Sequence, residues 1–268
     1  MLIYVHVLNF LLMILLPILL GIWVVRKTGL SWKLLLAGAL TFIASQVLHI
    51  PLVYGLTAAF QNNLLPDIPE TWAPLFNAVV LGLLAGIFEE TARWILYKFF
   101  LKKAITWEAG VVVGAGHGGI EALLLGLAAA VAFVQLMGFR SVDPATLSNL
   151  PAAQVDAIRQ AVAAYWSIPA YDALLGFVER VFAICLHLSL SVMVLYAVVG
   201  RKPVWFWLAL LWHAFVDGVA VFLVGKISNL ALEGIIGVMA VISLGILFSL
   251  RPRFPKGEAV EAASSPSI

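Results

Sequence analysis

The chain has 268 residues, of which 63% are hydrophobic and 11% are charged, and its mean hydropathy is +1.06. A soluble domain has about 45–50% apolar and about 25% charged residues, so this composition excludes an ordinary soluble protein and indicates an integral membrane protein. The net charge of +2 argues against a nucleic-acid partner, and the single cysteine, Cys185, excludes an internal disulfide.

Seven apolar stretches are long enough to cross about 30 Å of hydrocarbon as helices. We therefore predict an all-α, polytopic membrane protein with one transmembrane domain, residues 1–250. Its predicted spans are residues 2–25, 34–58, 73–97, 107–137, 170–199, 203–224 and 230–250.

Two polar segments accompany the spans. Within residues 138–169, Pro151 is predicted to start a short helix that carries Val155, Ile158 and Val162 along the membrane surface. The tail, residues 251–268, is polar and rich in small residues, which predicts disorder.

The distribution of basic residues predicts the orientation in the membrane. One set of connecting segments carries Arg26, Lys27, Lys33, Lys98, Lys102, Lys103, Arg201, Lys202, Arg251, Arg253 and Lys256. The other set carries only Arg140, Arg159 and Lys226, while Arg93 and Arg180 lie within spans. By the positive-inside rule, we predict a cell-membrane protein with its N-terminus outside and its C-terminus in the cytoplasm.

Ionisable residues recur at a similar depth on four spans. Span three carries "EETAR", with Glu89, Glu90 and Arg93, and span four carries "GAGHGGIEA", with His117 and Glu121. Span five carries His187, and span six carries "HAFVD", with His213 and Asp217. Each intramembrane charge costs at least about 2.5–3.5 kcal/mol on insertion scales, and such residues usually face the interior of the bundle. The set therefore predicts a polar functional site in the cytoplasmic half of the bundle.

The chemistry of the set suggests roles for its members. Arg93 reaches Glu89 at i,i+4 and Glu90 at i,i+3. We predict that Glu89 pairs with Arg93 and that Glu90 is a desolvated general base toward water, because Glu90 continues the Gly82–Gly86 packing stripe.

A metal is compatible with the same residues. Histidines bind an oxyanion, position water or ligate a metal; if zinc is present, its predicted ligands are His117, His187 and His213. Peptide-bond hydrolysis fits this inventory, and so does a proton-coupled carrier, since Glu/His chains relay protons.

Other polar residues within the spans are interpreted as structural. His6 and His49 are predicted to be packed polar bridges. A lone transmembrane histidine more often has this structural role than a catalytic one. Glu179 and Arg180, together with Asp172, are interpreted as a structural pair and a helix cap.

The motif order resembles the type II CAAX-protease and bacteriocin-processing superfamily, and within it the YhfC branch of intramembrane peptidases, with PrsW-type proteases as neighbours. The resemblance covers spans three to six. It implies an endopeptidase for a membrane-embedded or membrane-associated peptide or protein, in which one glutamate of Glu89 and Glu90 activates water beside His117 and His213. Asp217 would orient His213. The superfamily also includes inactive scaffolds, so a non-proteolytic carrier or scaffold is the alternative.

Overall fold

The computed structural model describes residues 1–142 and 151–255 of the chain, and all its regular structure in those ranges is helical. Seven of its helices are long and apolar enough to cross a membrane, which confirms the predicted all-α polytopic fold. The eight α-helices are α1 Leu2–Thr28, α2 Trp32–Gln61, α3 Ala73–Ile95, α4 Trp107–Ser141, α5 Ala152–Ser167, α6 Leu175–Val199, α7 Val204–Leu223 and α8 Asn229–Leu250.

Local sequence explains where the helices begin and end. Gly29 follows α1 in the left-handed conformation with φ 67°, and the Ser31 hydroxyl then caps α2 by accepting from the Lys33 amide at 3.2 Å. The Thr106 and Ser228 hydroxyls cap α4 and α8 in the same way. The third span continues past α3 through a π-helical turn, Leu96–Phe100.

The centre of the bundle is formed by α4 and α6. Helix α4 packs against α1, α2 and α6, and α6 also packs against α8 and α7. Residues 109–119 of α4 are almost all buried, whereas large apolar side chains on the outer helices are exposed, as contact with lipid requires.

Glycines bring two helix pairs into backbone contact. A Cβ atom at Gly116 of α4 would lie 1.9 Å from the Leu35 carbonyl oxygen of α2, and one at Gly82 of α3 would lie 2.3 Å from the Ala214 carbonyl oxygen of α7. No side chain fits at either position, so glycine permits the close approach that membrane helices use for packing. The α3–α7 contact sets the glutamates of α3 beside His213.

The structure bears on both of the polar segments identified in the sequence. The predicted short helix is present as α5, which follows Pro151 and carries its partly buried Val155, Ile158 and Val162 on one face. The predicted tail starts too early, because Arg251–Arg253 form a 3₁₀ turn and Phe254 is buried against Tyr196. Residues 256–268 of that tail, and residues 143–150 of the connection before α5, lie outside the described residues.

Candidate active site

The two adjacent glutamates of α3 face different neighbours. Glu90 and Arg93 are both 0% exposed, and the Arg93 guanidinium donates through Nη1 to Glu90 Oε1. Arg93 Nη2 lies 3.8 Å from Glu89 Oε2. The predicted pair of Glu89 with Arg93 is thus present at ion-pair distance, but the hydrogen-bonded partner of Arg93 is Glu90, and Glu89 faces α2 and α4. Both spacings bring a side chain within reach of Arg93, so spacing alone does not select between them.

Three histidines from three helices form a row beside these carboxylates. The ring centroids of His117 and His187 are 5.1 Å apart, and those of His187 and His213 are 5.4 Å apart. All three side chains are buried. The structure thus brings together the motifs of α3, α4, α6 and α7, as the sequence predicts.

His117 is held by one hydrogen bond and faces Glu89 with its other nitrogen. The Thr41 hydroxyl lies 2.6 Å from the Gly38 carbonyl oxygen, to which it donates, so its oxygen accepts from His117 Nδ1–H at 2.8 Å. The Nε2 lone pair of His117 then faces Glu89 Oε2 at 2.9 Å. Two acceptors at this distance repel each other unless a proton or a cation lies between them.

His187 is bonded at both nitrogens. Arginine has no acceptor atom, so Arg93 Nη2 donates to His187 Nδ1 at 2.7 Å and the ring hydrogen is on Nε2. Nε2–H donates to Glu121 Oε2 at 2.5 Å, and Glu121 Oε1 accepts from Arg180 Nη1 at 2.6 Å. Glu121 therefore positions His187, and the pair of Arg180 with Glu179 continues the same network.

His213 connects Glu90 to the open side of the site. Its Nδ1 lies 2.7 Å from Glu90 Oε1, and because that carboxylate is paired with Arg93, the nitrogen donates. Its Nε2 lies 3.4 Å from Asp217 Oδ2 and 3.9 Å from Glu89 Oε2. The Asp217 side chain is 38% exposed, which makes it the most accessible carboxylate of the motif set.

A compact group of donor atoms suits a metal. Among the described residues, Glu89, His117 and His187 each offer one ligand atom, and these atoms lie within 4.8 Å of one another. The group contains Glu89 where the sequence suggests His213. A Glu/His/His set is one that catalytic zinc uses, and the Thr41 contact fixes the tautomer of His117 that leaves Nε2 free for a cation. Glu89 and His117 Nε2 therefore offer free lone pairs to a divalent ion as they stand, and His187 fits as a third ligand once Arg93 or Glu121 releases one of its nitrogens.

A polar cavity of about 90 Å³ adjoins the group, with room for several water molecules. Its polar lining includes Glu89, Glu121, His187, His213 and Asp217, and its apolar lining comes mainly from α6, α7 and α8. The arrangement combines ionisable groups, a candidate cation site and a cavity that holds water. These features together suit hydrolytic chemistry.

Two contacts of the site were not predicted. Gln46 Nε2 of α2 donates to Glu89 Oε1 at 3.2 Å, and Thr41 of the same helix holds His117. The available signal is three polar residues within an apolar span: Thr41 and Ser45 at a spacing of four, followed by Gln46. Uncharged polar residues also occur as packing residues in membrane helices, so this signal alone does not indicate a site.

Comparison with known proteins yields one family and one relative. The family model described as YhfC intramembrane metalloprotease matches residues 12–240. A protein of Bacillus subtilis (strain 168), named "Uncharacterized membrane protein YhfC", is 36% identical over 236 residues, which cover 86% of this chain and 89% of that protein. No solved structure gives a significant match.

Proposed function

Because the chain belongs to the YhfC family of intramembrane metalloproteases, we propose that it is an intramembrane endopeptidase, which cleaves a peptide bond of a membrane-embedded or membrane-associated substrate. The observation that carries the proposal is the buried group of Glu89, His117 and His187 beside a polar cavity. The relation to the wider CAAX-protease and PrsW superfamily stays a prediction from motif order.

Glu89 is the proposed general base. Of the two adjacent glutamates, Glu89 lines the cavity, whereas Glu90 is fully buried and bonded to Arg93 and His213. Gln46 bonds Glu89 Oε1 and so orients the carboxylate. This assignment reverses the sequence-based choice of Glu90, and general-base catalysis of this kind contributes about 10²–10⁴-fold to a rate.

The reaction follows from these positions. A cavity water attacks the scissile carbonyl carbon while Glu89 accepts its proton, and the carbonyl oxygen becomes an oxyanion. Glu89 then returns the proton to the amide nitrogen as the C–N bond breaks, which leaves a carboxylic acid and an amine; the acid passes its proton to the amine or to water. His213 lines the same cavity and, when protonated, stabilises the oxyanion, while Asp217 orients His213.

A divalent ion such as zinc fits the proposal. It would be held by His117 and His187 beside Glu89, and it would make a nearby water more acidic and polarise the scissile carbonyl. Arg93 and Glu121 each engage one nitrogen of His187, so ligation by that residue requires one of these two contacts to open.

The test is cleavage of a library of transmembrane peptides by purified protein whose metal content is also measured. Glu89→Gln is expected to slow turnover by about 10²–10⁴-fold and to keep the ion; loss of the ion would make Glu89 a ligand instead of the base. Glu233→Gln, a buried glutamate of α8 outside the cavity lining, is the matched control and should cleave normally.

Three outcomes count against the proposal. Normal cleavage by Glu89→Gln together with an inactive Glu90→Gln would restore Glu90 as the base. Normal cleavage by both variants would remove the pair from the chemistry. If the wild type cleaves no peptide of the library, the protease assignment fails and the carrier or scaffold alternative takes its place.

A further inference from the structure

A groove on the lipid-facing side of the bundle runs between α2, α3 and α7. It has a volume of about 450 Å³, and its lining includes His49 and Tyr54 of α2, Ala85 of α3 and Asp217 of α7. Helix α3 forms its floor, α2 one wall and α7 the other. Helix α3 packs against both neighbours, whereas α2 and α7 share no substantial contact among the described residues, so the groove is open between them.

The groove leads to the candidate active site along each of the three helices. On α3, Ala85 is followed one turn later by Glu89. On α2, His49 is three residues from Gln46, which bonds Glu89. On α7, Asp217 is four residues from His213 and lines both this groove and the polar cavity. A chain lying in the groove would therefore reach the cavity at Glu89.

Polar groups in the groove lack hydrogen-bond partners, although the surrounding hydrocarbon provides none. His49 lines the groove, and neither of its ring nitrogens has a hydrogen-bond partner among the described residues; Nδ1 is shielded by the protein, so Nε2 is the nitrogen left accessible. The ring stacks on Phe88, with centroids 5.7 Å apart and planes at 18°, which fixes the direction of both nitrogens. The partly exposed Asp217 carboxylate adds an acceptor. In hydrocarbon, unpaired polar groups are costly and mark functional pathways.

A second groove offers a contrast. The space between α3 and α7, about 620 Å³, is lined entirely by glycine, alanine and larger apolar residues, among them Val79, Leu83, Phe215 and Phe222. An acyl chain satisfies such a surface, because it needs no hydrogen bonds. It cannot satisfy the surface that carries His49 and Asp217, whose complement must offer donors or acceptors within the membrane.

We propose that the groove between α2, α3 and α7 binds an extended, non-helical stretch of a membrane-spanning substrate, with His49 as a substrate-binding residue. An unwound backbone presents N–H and C=O groups that are hydrogen-bonded within a helix, and these complement His49 Nε2 and Asp217. The proposal rests on the proposed peptidase function and names its route of substrate access. It replaces the prediction that His49 is merely a packed histidine.

The first experiment maps where a peptide lies. The full-length Glu89→Gln protein in lipid nanodiscs carries the photoreactive residue p-benzoylphenylalanine at Tyr54 of the groove or, as the matched control, at Phe215 of the apolar groove. Both native residues are exposed aromatics. The probes are two biotinylated transmembrane peptides, one with a central Gly-Pro pair that interrupts the helix and one with Leu-Leu there.

Crosslinking of the interrupted peptide from position 54 and not from position 215 is the expected result. Equal labelling at both positions, labelling at 215 alone, labelling at neither, or equal labelling by the uninterrupted helix would each overturn the proposal. Cleavage of the interrupted peptide by the Glu89-containing protein is measured separately. Crosslinking at position 54 without cleavage would refute the proposed peptidase function and support the proposed binding groove. Cleavage without crosslinking at position 54 would support the peptidase function and refute the binding groove.

The second experiment tests His49 through affinity. Loss of one hydrogen bond in His49→Leu should raise the Kd of the interrupted peptide about 2- to 12-fold. His49→Gln, whose amide lies near the position of Nε2, should restore most of the affinity. His6→Leu, another buried histidine with an unpaired nitrogen, controls for loss of a histidine outside the groove. An unchanged Kd in His49→Leu, or an equal loss in His6→Leu, would refute the role.

Discussion

Removal of Arg93 should destabilise the bundle far more than removal of an exposed arginine. Arg93 is 0% exposed, pairs with the equally buried Glu90, and donates to His187 Nδ1 at 2.7 Å. In Arg93→Met the Glu90 carboxylate keeps only its bond from His213. Breaking a buried ion pair by removal of one partner costs about 3–5 kcal/mol, because the other charge is left uncompensated.

The expected change is large enough to measure by thermal unfolding. For chains of about 150–250 residues, each kcal/mol shifts Tm by about 2–4 °C, so Arg93→Met should lower Tm by about 6–20 °C. The single cysteine, Cys185, is partly buried in α6, and its reaction with a thiol-reactive fluorophore during heating reports unfolding.

Two further variants test the reasoning. Arg159→Met removes an exposed ion pair to Asp156, 3.8 Å long, and should cost about 0–1 kcal/mol. The double variant Arg93→Met/Glu90→Gln removes both charges and should be more stable than Arg93→Met alone. An Arg93→Met protein with a Tm within about 2 °C of the wild type, well below the smallest expected shift of about 6 °C, would refute the argument. So would a double variant whose loss is the sum of the losses in Arg93→Met and Glu90→Gln.

Three other changes have defined outcomes. Thr41→Val removes the acceptor for the Nδ1–H of the candidate metal ligand on α4 and should weaken zinc binding about 10–100-fold in a chelator competition; unchanged affinity would exclude that support. Gly116→Ala places a Cβ atom 1.9 Å from a carbonyl oxygen and should lower Tm and the yield of folded protein, while Gly55→Ala, with nothing within 4 Å, should leave both intact. Equal effects of the two alanines would contradict the packing argument. Cysteines placed at Asp156 and Lys103, with Cys185 replaced, should be labelled by an impermeant reagent from outside at Asp156 only; the opposite pattern would invert the predicted orientation.

The number and approximate position of the membrane helices follow from the sequence, because a helix that crosses the hydrocarbon core needs about 20 predominantly apolar residues. Their ends do not follow from it as closely. The first helix continues to Thr28 and the second begins at Trp32, since Gly29 and Ser31 supply the cap and the turn. The third span ends in a π-helical turn at Phe100, beyond the predicted residue 97.

The candidate site is predictable as a set of residues but not as a network. Helical periodicity on α3 identifies Glu89, Glu90 and Arg93 as one face, yet partners on other helices decide which glutamate binds Arg93. His213 approaches Glu90 and His117 approaches Glu89, and these contacts join residues 123 and 28 positions apart. Gln46 contacts Glu89 directly but was not predicted. An uncharged polar side chain in a membrane helix is not by itself a strong indication of a functional site.

The buried network has an evolutionary consequence. Glu90, Arg93 and His187 support one another across two helices, so selection for a stable fold alone would preserve them even in a lineage without the proposed hydrolysis. Substitution of one without the others would be purged, and drift would act first at His49 and Asp217, which line the groove and support fewer neighbours. A relative that retains the buried trio while losing the groove residues would therefore be identified as a degenerate enzyme that kept its framework.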